Sequence, residues 1–131
     1  MLVGRRTRQW HDGTGPYVQW LHAALVELIA DIGEPADVVL RACAELDRRI
    51  ADADRWLQGH PCPDPTVERG LRDLIGACAG LWATTQHIAR LTPAGIDAGV
   101  GHLPSSCTVQ MAERVDALEH ALDGARRLAL L

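Results

Sequence analysis

The chain of 131 residues contains no lysine, no asparagine and no phenylalanine, although it contains 13 arginines. The codons of the three missing residues are rich in A and T. The composition therefore predicts a gene from a GC-rich bacterium such as an actinomycete. The lack of lysine then follows from codon usage, and no function can be inferred from it.

Other absences argue against whole classes of protein. No apolar run approaches the ~20 residues that a membrane-spanning helix needs. The arginines near the N-terminus are not followed by the apolar stretch of a signal peptide. The net charge of −4 gives no support for nucleic-acid binding. We therefore expect a cytoplasmic protein without membrane or nucleic-acid partners, whose four cysteines are free thiols.

Apolar residues recur at helical spacing in four segments, and the period-two alternation of strands is missing. In the first segment Leu21, Leu25 and Leu28 belong to one apolar stripe, and the other three segments carry stripes of the same kind. Such stripes predict helices that pack side by side with their apolar faces inward. Prolines, glycines and serines mark the ends of the segments. The predicted helices span about residues 16–32, 35–58, 65–92 and 106–130.

The connections between these segments predict the order of packing. Those near residues 33 and 62 are short, which makes consecutive helices antiparallel neighbours. The connection over residues 93–104 is longer but fits the same arrangement. We therefore predict an all-α protein with one domain. It is an antiparallel, up-down-up-down four-helix bundle over residues 16–131, preceded by an N-terminal arm of residues 1–15.

The stretch GHPCPDP, residues 59–65, has two interpretations. Its glycine and prolines fit a hinge between two helices. Alternatively, His60 and Cys62 form a reactive site, because a thiol near a helix N-terminus can have a lowered pKa, and His11 is then a candidate acid/base partner. A zinc motif would need a second ligand pair nearby, which is missing. The hinge explains more of the residues, so these three residues are weak catalytic candidates.

A metal site in the bundle core is the next hypothesis to weigh. Folding the chain about residue 61 sets Cys43 opposite residue 79 and therefore beside Cys78, with His22 and His120 near the same level. Two cysteines and two histidines suit tetrahedral zinc. However, His120 lies about 200° around its helix from the apolar stripe and should face outward. We therefore predict core thiols, no metal and no other cofactor.

Small residues in the middle of the third helix suggest either close packing or a pocket. Gly76, Ala77, Ala79 and Gly80 face the small residues of RACAE, residues 41–45, in the predicted arrangement. Two small surfaces usually mean tight helix packing, which is the favoured interpretation. They could instead leave a pocket between helices, where ligands of bundles bind. The candidate ligand-binding residues of that pocket are Cys43, Cys78, Trp82, Thr85 and Gln86.

Aromatic residues are few, and most of them fall at one end of the predicted bundle. Trp20 is about 100° from the stripe of its helix and should be partly exposed. Exposed tryptophan and tyrosine beside arginine are typical of protein–protein interfaces. The alternative is that residues 5–15 fold over this end and bury the rings. The predicted interaction residues are Trp10, Tyr17, Trp20 and Trp56.

These observations favour an interaction or accessory protein without catalysis of its own, acting as a homodimer, with another protein, or both. The alternative is a small helical enzyme or ligand-binding accessory protein of bacterial secondary metabolism. It would bind a small molecule in the mid-bundle pocket or at the His60–Cys62 hinge.

Overall fold

The structure is a computed structural model that describes residues 2–91 and 105–131. Within these ranges the chain forms four helices and no strand, so the predicted all-α class is confirmed. The connection predicted over residues 93–104 lies outside the described residues. The helices are α1 (Leu2–Asp31), α2 (Ala36–Gly59), α3 (Pro65–Leu91) and α4 (Ser105–Arg127).

The first helix is longer than the sequence predicts. We expected an arm over residues 1–15 and a helix from Pro16, but α1 begins at Leu2 and continues through Pro16. A proline inside a helix removes one backbone hydrogen bond and is normally a helix breaker. Here the helical turn before Pro16 is held by other contacts. The indole nitrogen of Trp10 donates to the carbonyl oxygen of His60, and that of Trp56 donates to the Thr14 hydroxyl.

The apolar stripes of the first three helices face the core as predicted. Leu21, Leu46, Leu71 and Leu81 are buried, as are most other residues of each stripe, and Ile32 and Ile50 are half-buried. The stripe of α4 packs less completely, because Val115 is 39% exposed. The buried positions of this last segment are Cys107, Leu118, Ala125 and Leu130.

Each helix packs most extensively on its neighbour in the chain: α1 on α2, α2 on α3, and α3 on α4. The contacts join the first half of one helix to the second half of its neighbour. Cys43 of α2 lies 4.0 Å, sulfur to oxygen, from the carbonyl of Trp82 in α3. Arg114 of α4 donates to the hydroxyl of Thr84 in α3 at 3.4 Å. No helix in the described ranges is long and apolar enough to cross a membrane.

The connection between α2 and α3 is built as the hinge interpretation predicts. α2 ends at Gly59, and the His60 backbone N–H donates to the carbonyl of Leu57 at 3.3 Å. At the start of α3, the Asp64 carboxylate accepts a hydrogen bond from the Thr66 backbone N–H at 3.0 Å. This is the N-cap contact expected of an aspartate before a proline at the first helical position.

The end of α4 turns back onto the bundle through a residue of left-handed conformation. Ala129 has φ of 59°, a region that favours glycine. The Leu130 N–H donates to the carbonyl of Ala125 at 2.9 Å, and the Ala129 N–H to that of Arg126 at 3.1 Å. These two bonds define a Schellman motif. The motif directs Leu130 into the core, where it is buried.

Candidate functional site

Three rings from α1 and the end of α2 form a stack at one end of the bundle. Trp56 stacks with Tyr17 at 4.7 Å and with His60 at 3.5 Å between ring centroids. A methyl group at Gly13 would lie 3.1 Å from the Trp56 ring, so this glycine allows the indole to approach α1 closely. We call Trp10, Tyr17, Trp20, Trp56 and His60 the aromatic end.

Hydrogen bonds fix the two indoles of the aromatic end that point inward. Trp56 Nε1 donates to Thr14 Oγ1 at 2.9 Å, and Thr14 is only 1% exposed. Trp10 Nε1 donates to the His60 carbonyl oxygen at 2.8 Å, and Trp10 is buried. Buried indoles usually find such a partner. These rings therefore join α1 to α2, as expected if the N-terminal segment buries part of the cluster.

The His60 ring has one nitrogen committed to this local structure. His60 Nδ1 lies 3.0 Å from the Trp56 carbonyl oxygen. A carbonyl can only accept, so Nδ1 must carry the hydrogen, and in the neutral ring Nε2 is then the acceptor. His60 is exposed, so Nε2 is available to solvent or to a ligand.

Trp20 is the ring of the aromatic end that faces outward. It is 46% exposed and makes an edge contact with Tyr17 at 5.3 Å. The guanidinium carbon of Arg49 lies 5.4 Å from the Trp20 ring centroid, within the range of a cation–π contact. Arg49 is itself bonded to Glu45 at 3.0 Å and lies 3.7 Å from Asp52. Contacts with Tyr17 and Arg49 therefore hold the exposed Trp20 ring in place.

A groove of about 450 Å³ runs beside Trp20 between α1 and α2. Its walls combine aromatic rings with one acidic and one basic side chain. The lining residues are Tyr17, Trp20, Asp52, Arg55, Trp56 and His60.

The helix surface next to Trp20 is poor in charge. Between residues 16 and 30, all of which the structure describes, Glu27 is the only charged residue. We call the exposed residues of this stretch the α1 outer face. They are Pro16, Gln19, Trp20, Ala23, Val26, Glu27, Ile29 and Ala30.

The weak catalytic candidates are not assembled into one site by the described contacts. His60 lines the groove beside Trp20, whereas His11 packs its ring against Trp10 and lines a different cavity. Burial raises the pKa of the half-buried Cys62 thiol, and the carboxylates of Asp64 and Glu68 add to this, opposing backbone hydrogen bonds. The lowered pKa that a helix N-terminus can give is therefore not found. No three His, Cys, Asp or Glu side chains in the described ranges form a group that could hold a metal ion.

The thiols proposed for the mid-bundle pocket lie in the packed core. Cys43 and Cys78 are fully buried and free. Burial raises their pKa values to about 11 and about 12, so both are neutral thiols at physiological pH. Cys43 lies level with Trp82, about one helical turn beyond the predicted residue 79. The turn between α2 and α3 is centred nearer residue 63 than residue 61.

Two polar atoms among the mid-bundle candidates have no partner within the described residues. They are Trp82 Nε1 and Thr85 Oγ1, both buried. Gln86 is half-buried. An unpaired buried polar group costs about 1–3 kcal/mol, so this part of the core carries a local penalty.

Three of the four small residues singled out in α3 lie on the side of α4. Gly76, Ala77 and Gly80 line an open groove of about 540 Å³ together with α4 residues. A methyl group at Gly80 would lie 3.2 Å from the Arg114 side chain, so this glycine allows Arg114 to cross α3 and reach Thr84. The predicted contact with the small residues of α2 is therefore wrong for these three residues.

Several residues that contact the aromatic end were not predicted from the sequence. Gly13 and Thr14 accommodate Trp56, but the stretch DGTGP looked like a helix start. A glycine inside a helix can mark a position where another side chain approaches the backbone closely, as Trp56 does at Gly13. Arg49 gave no signal, because its contact with Trp20 joins residues far apart in the chain.

Comparison of the chain with protein-family models, with curated proteins and with solved structures finds no match. Its function has to be inferred from its own residues.

Proposed function

We propose that this protein is a non-catalytic interaction module of the bacterial cytoplasm, and that it forms a homodimer through the α1 outer face. In this proposal an antiparallel, up-down-up-down bundle serves as the scaffold. The opposite ordering of contacts between consecutive helices supports that arrangement. The aromatic end then holds Trp20 in place for a partner.

The observation that carries the proposal is the contrast between exposed helix surfaces. Glu27 is the single charge on the α1 outer face, which also presents Trp20, Val26 and Ile29 to solvent. Contiguous exposed apolar surface on a soluble protein usually marks an interaction site. The exposed surface of α4 carries no charge over residues 105–112 but is densely charged from residue 113 onward, with Glu113, Arg114, Asp116, Glu119, Asp123, Arg126 and Arg127.

A second copy of the chain fits this face by the sizes of its side chains. Trp20 is large and lies at one end of the α1 outer face, whereas Ala30 is small and lies at the other. If two copies of α1 pack antiparallel about a two-fold axis near residue 25, each Trp20 meets Ala30 of the second copy. Two-fold contacts use the same patch on both subunits, so a self-complementary patch suits them.

The area of the face sets the expected strength of the dimer. Residues 16–30 span about 22 Å of helix, and a helix is about 10 Å wide. That surface is well below the ~800 Å² that each partner buries in a standard interface. Neighbouring polar residues such as Arg49 and Arg55 must therefore form a rim. We expect a dissociation constant of roughly micromolar size.

The test introduces a charge into the middle of the face. In Val26→Glu a valine of α1 that is 51% exposed becomes acidic, and in the matched control Val109→Glu the same change is made at a valine of α4 that is 55% exposed. Because Val26 lies near the two-fold axis, its replacement brings negative charges of the two copies together, close to the two Glu27 carboxylates. Both variants should keep the helical circular dichroism of the parent. We expect concentration-dependent dimerisation for the parent chain and for Val109→Glu by sedimentation velocity, and a monomer for Val26→Glu. A monomeric parent chain, or equal behaviour of the two variants, would overturn the proposal.

A further inference from the structure

A second cavity lies on the flank of α1 and borders the α1 outer face, with which it shares Gln19 and Ala23. It has a volume of about 500 Å³ and lies between the first half of α1 and residues 129–131. This is within the size range of pockets that bind small molecules. Its polar lining residues are His11, Asp12, Gln19 and His22, and its apolar wall includes Val18 and Leu130. We call it the α1–C-terminal cavity.

The continuity of α1 through Pro16 creates this cavity. His11 and His22 are eleven residues apart, which is close to three full turns, so both lie on the same side of the helix. They stand about 16 Å apart along the axis, one at each end of the cavity. Val18 lies between them, and its side chain is buried.

The opposite wall depends on the Schellman motif after α4. Ala129 adopts a left-handed conformation, and this turn brings Leu130 against the bundle. Ala129, Leu130 and Leu131 all line the cavity. Strained backbone of this kind persists only where surrounding contacts hold it, and it is often found at ligand-binding sites.

The two ends of the cavity differ in charge. At one end Asp12 is next to His11, and its carboxylate disfavours an anion there. At the other end the lining residues are His22, Gln19 and Ala23, with no carboxylate among them. The imidazole and amide of this second end offer hydrogen-bond donors to an oxygen acceptor. The cavity is therefore polarised along its length.

We propose that the α1–C-terminal cavity binds an elongated organic acid. The carboxylate lies at His22 and Gln19, the apolar body packs on Ala129 and Leu131, and a hydroxyl at the far end bonds to Asp12 or His11. Charge-assisted hydrogen bonds to the carboxylate orient the molecule. Burial of the apolar body supplies most of the affinity.

This inference goes beyond the proposed dimer and does not depend on it. Dimerisation uses the outward side of α1, where Trp20 and Val26 are exposed, and the organic acid uses the flank that carries His11 and His22. Gln19 and Ala23 lie at the border and belong to both surfaces, so the oligomeric state of each cavity variant is measured beside its binding. Binding per chain is measured separately from oligomeric state, so either proposal can fail while the other stands.

The experiment uses ω-hydroxydodecanoate as the probe and the corresponding diol as its neutral match. An extended twelve-carbon chain matches the length of the cavity, because His11 and His22 at its two ends are about 16 Å apart along the helix axis. Isothermal titration calorimetry of the full chain should give one acid bound per chain, at least tenfold more tightly than the diol. No binding of the acid, or equal affinity for acid and diol, would overturn the proposal.

Two variants locate the carboxylate and one serves as a control. His22→Ala should weaken binding of the acid about tenfold and leave the diol unchanged. Gln19→Glu keeps the side-chain shape but adds a negative charge, which repels the carboxylate of the ligand. Binding of the acid should therefore weaken at least tenfold. The control, His87→Ala, removes an exposed histidine of α3 that is not among the cavity-lining residues, and should change neither. If all three variants bind the acid like the parent chain, the site lies elsewhere and the proposal is wrong.

Discussion

The two halves of the bundle bring their helices together in opposite ways. In the α1–α2 half, large rings fill the space between helices, and the indoles of Trp10 and Trp56 are held by hydrogen bonds at 2.8 and 2.9 Å. In the α3–α4 half, small residues such as Gly70 and Gly80 let side chains of the other helix lie against the backbone. The first half is therefore joined by large side chains with specific hydrogen bonds. The second half is joined by side chains that pack directly against the backbone at glycines.

The halves also differ on their outer surfaces. The α1 outer face carries one charge, whereas α4 presents both signs of charge to solvent. Salt bridges between exposed side chains of one helix add little to stability, as for Arg126 and Asp123 at 3.4 Å. Charge on α4 therefore adds little to stability, and the scarcity of charge on the α1 outer face is consistent with a covered surface. The following predictions test this contrast, beginning with the largest expected effect.

Removing Trp56 should damage the α1–α2 half most severely. Trp56→Ala deletes the stacking with Tyr17 and His60 and leaves the buried Thr14 hydroxyl without its donor. Truncation of a fully buried aromatic residue costs about 3–5 kcal/mol, and because Trp56 is half-buried we expect a loss of about 2–4 kcal/mol of unfolding free energy. Urea denaturation followed by circular dichroism measures this loss.

The matched variant Trp56→Phe separates the ring from its hydrogen bond. Phenylalanine keeps an aromatic surface for stacking but has no N–H to donate to Thr14. The loss should then fall to about 1–3 kcal/mol, the penalty for an unpaired buried polar group. A loss below about 1 kcal/mol for Trp56→Ala would show that the stack does not hold the two helices together.

Removing Trp20 should affect assembly much more than folding. A tryptophan that packs against the partner subunit typically contributes about 2 kcal/mol, which is roughly thirtyfold in the dimer dissociation constant. Sedimentation equilibrium of Trp20→Ala measures that change. The control Val109→Ala truncates a side chain of α4 that is 55% exposed and should leave the constant unaltered. Equal effects of both variants would remove the distinction between the two surfaces.

Two glycines of α3 provide a matched pair for the close-approach half. A methyl group at Gly70 would overlap the Leu128 side chain, whereas one at Gly76 would meet nothing within 4 Å. Replacing a helical glycine by alanine gains about 0.5–1 kcal/mol. We therefore expect Gly76→Ala to raise the unfolding free energy by this amount and Gly70→Ala to lower it by about 1 kcal/mol. If both variants gain similar unfolding free energy, the Leu128 side chain moves aside without cost, and close approach at Gly70 does not stabilise the fold.

The smallest expected effect is at the turn after α4. Ala129→Gly relieves a left-handed alanine but increases the freedom of the unfolded chain, so the net gain should be about 0.5–1 kcal/mol. The control Ala117→Gly lies within α4 and should lose about 1 kcal/mol. Thermal unfolding of both variants checks the sign. A loss for Ala129→Gly would contradict the strained conformation.

The helical class, the stripes of the first three helices and the hinge at residues 59–65 could be predicted because each depends on residues close together in the chain. The continuation of α1 could not, because Gly13, Gly15 and Pro16 signal a break locally. That signal is outweighed by Trp10 and Trp56, whose partners are 50 and 42 residues away. The same limit hid the α1–C-terminal cavity. His11 and His22 share a face only if the helix runs through Pro16.

The convergence of Trp10, Tyr17, Trp20 and Trp56 could be expected from antiparallel packing, but not their division of roles. Whether a ring points inward depends on a partner such as Thr14 or the His60 carbonyl, which propensity and periodicity do not identify. For α4, periodicity predicted burial of Val115, which is 39% exposed. The apolar stripe of α4 predicts burial correctly only at positions that another helix covers.

The most direct measurement is an isotope-filtered NOE experiment on a mixture of labelled and unlabelled protein, which detects contacts between copies only. The account predicts intermolecular NOEs from the Trp20 indole to the Ala30 methyl group of the second copy. Intermolecular NOEs from Val109 and Val115 of α4 instead, or none at concentrations where sedimentation shows a dimer, would contradict it.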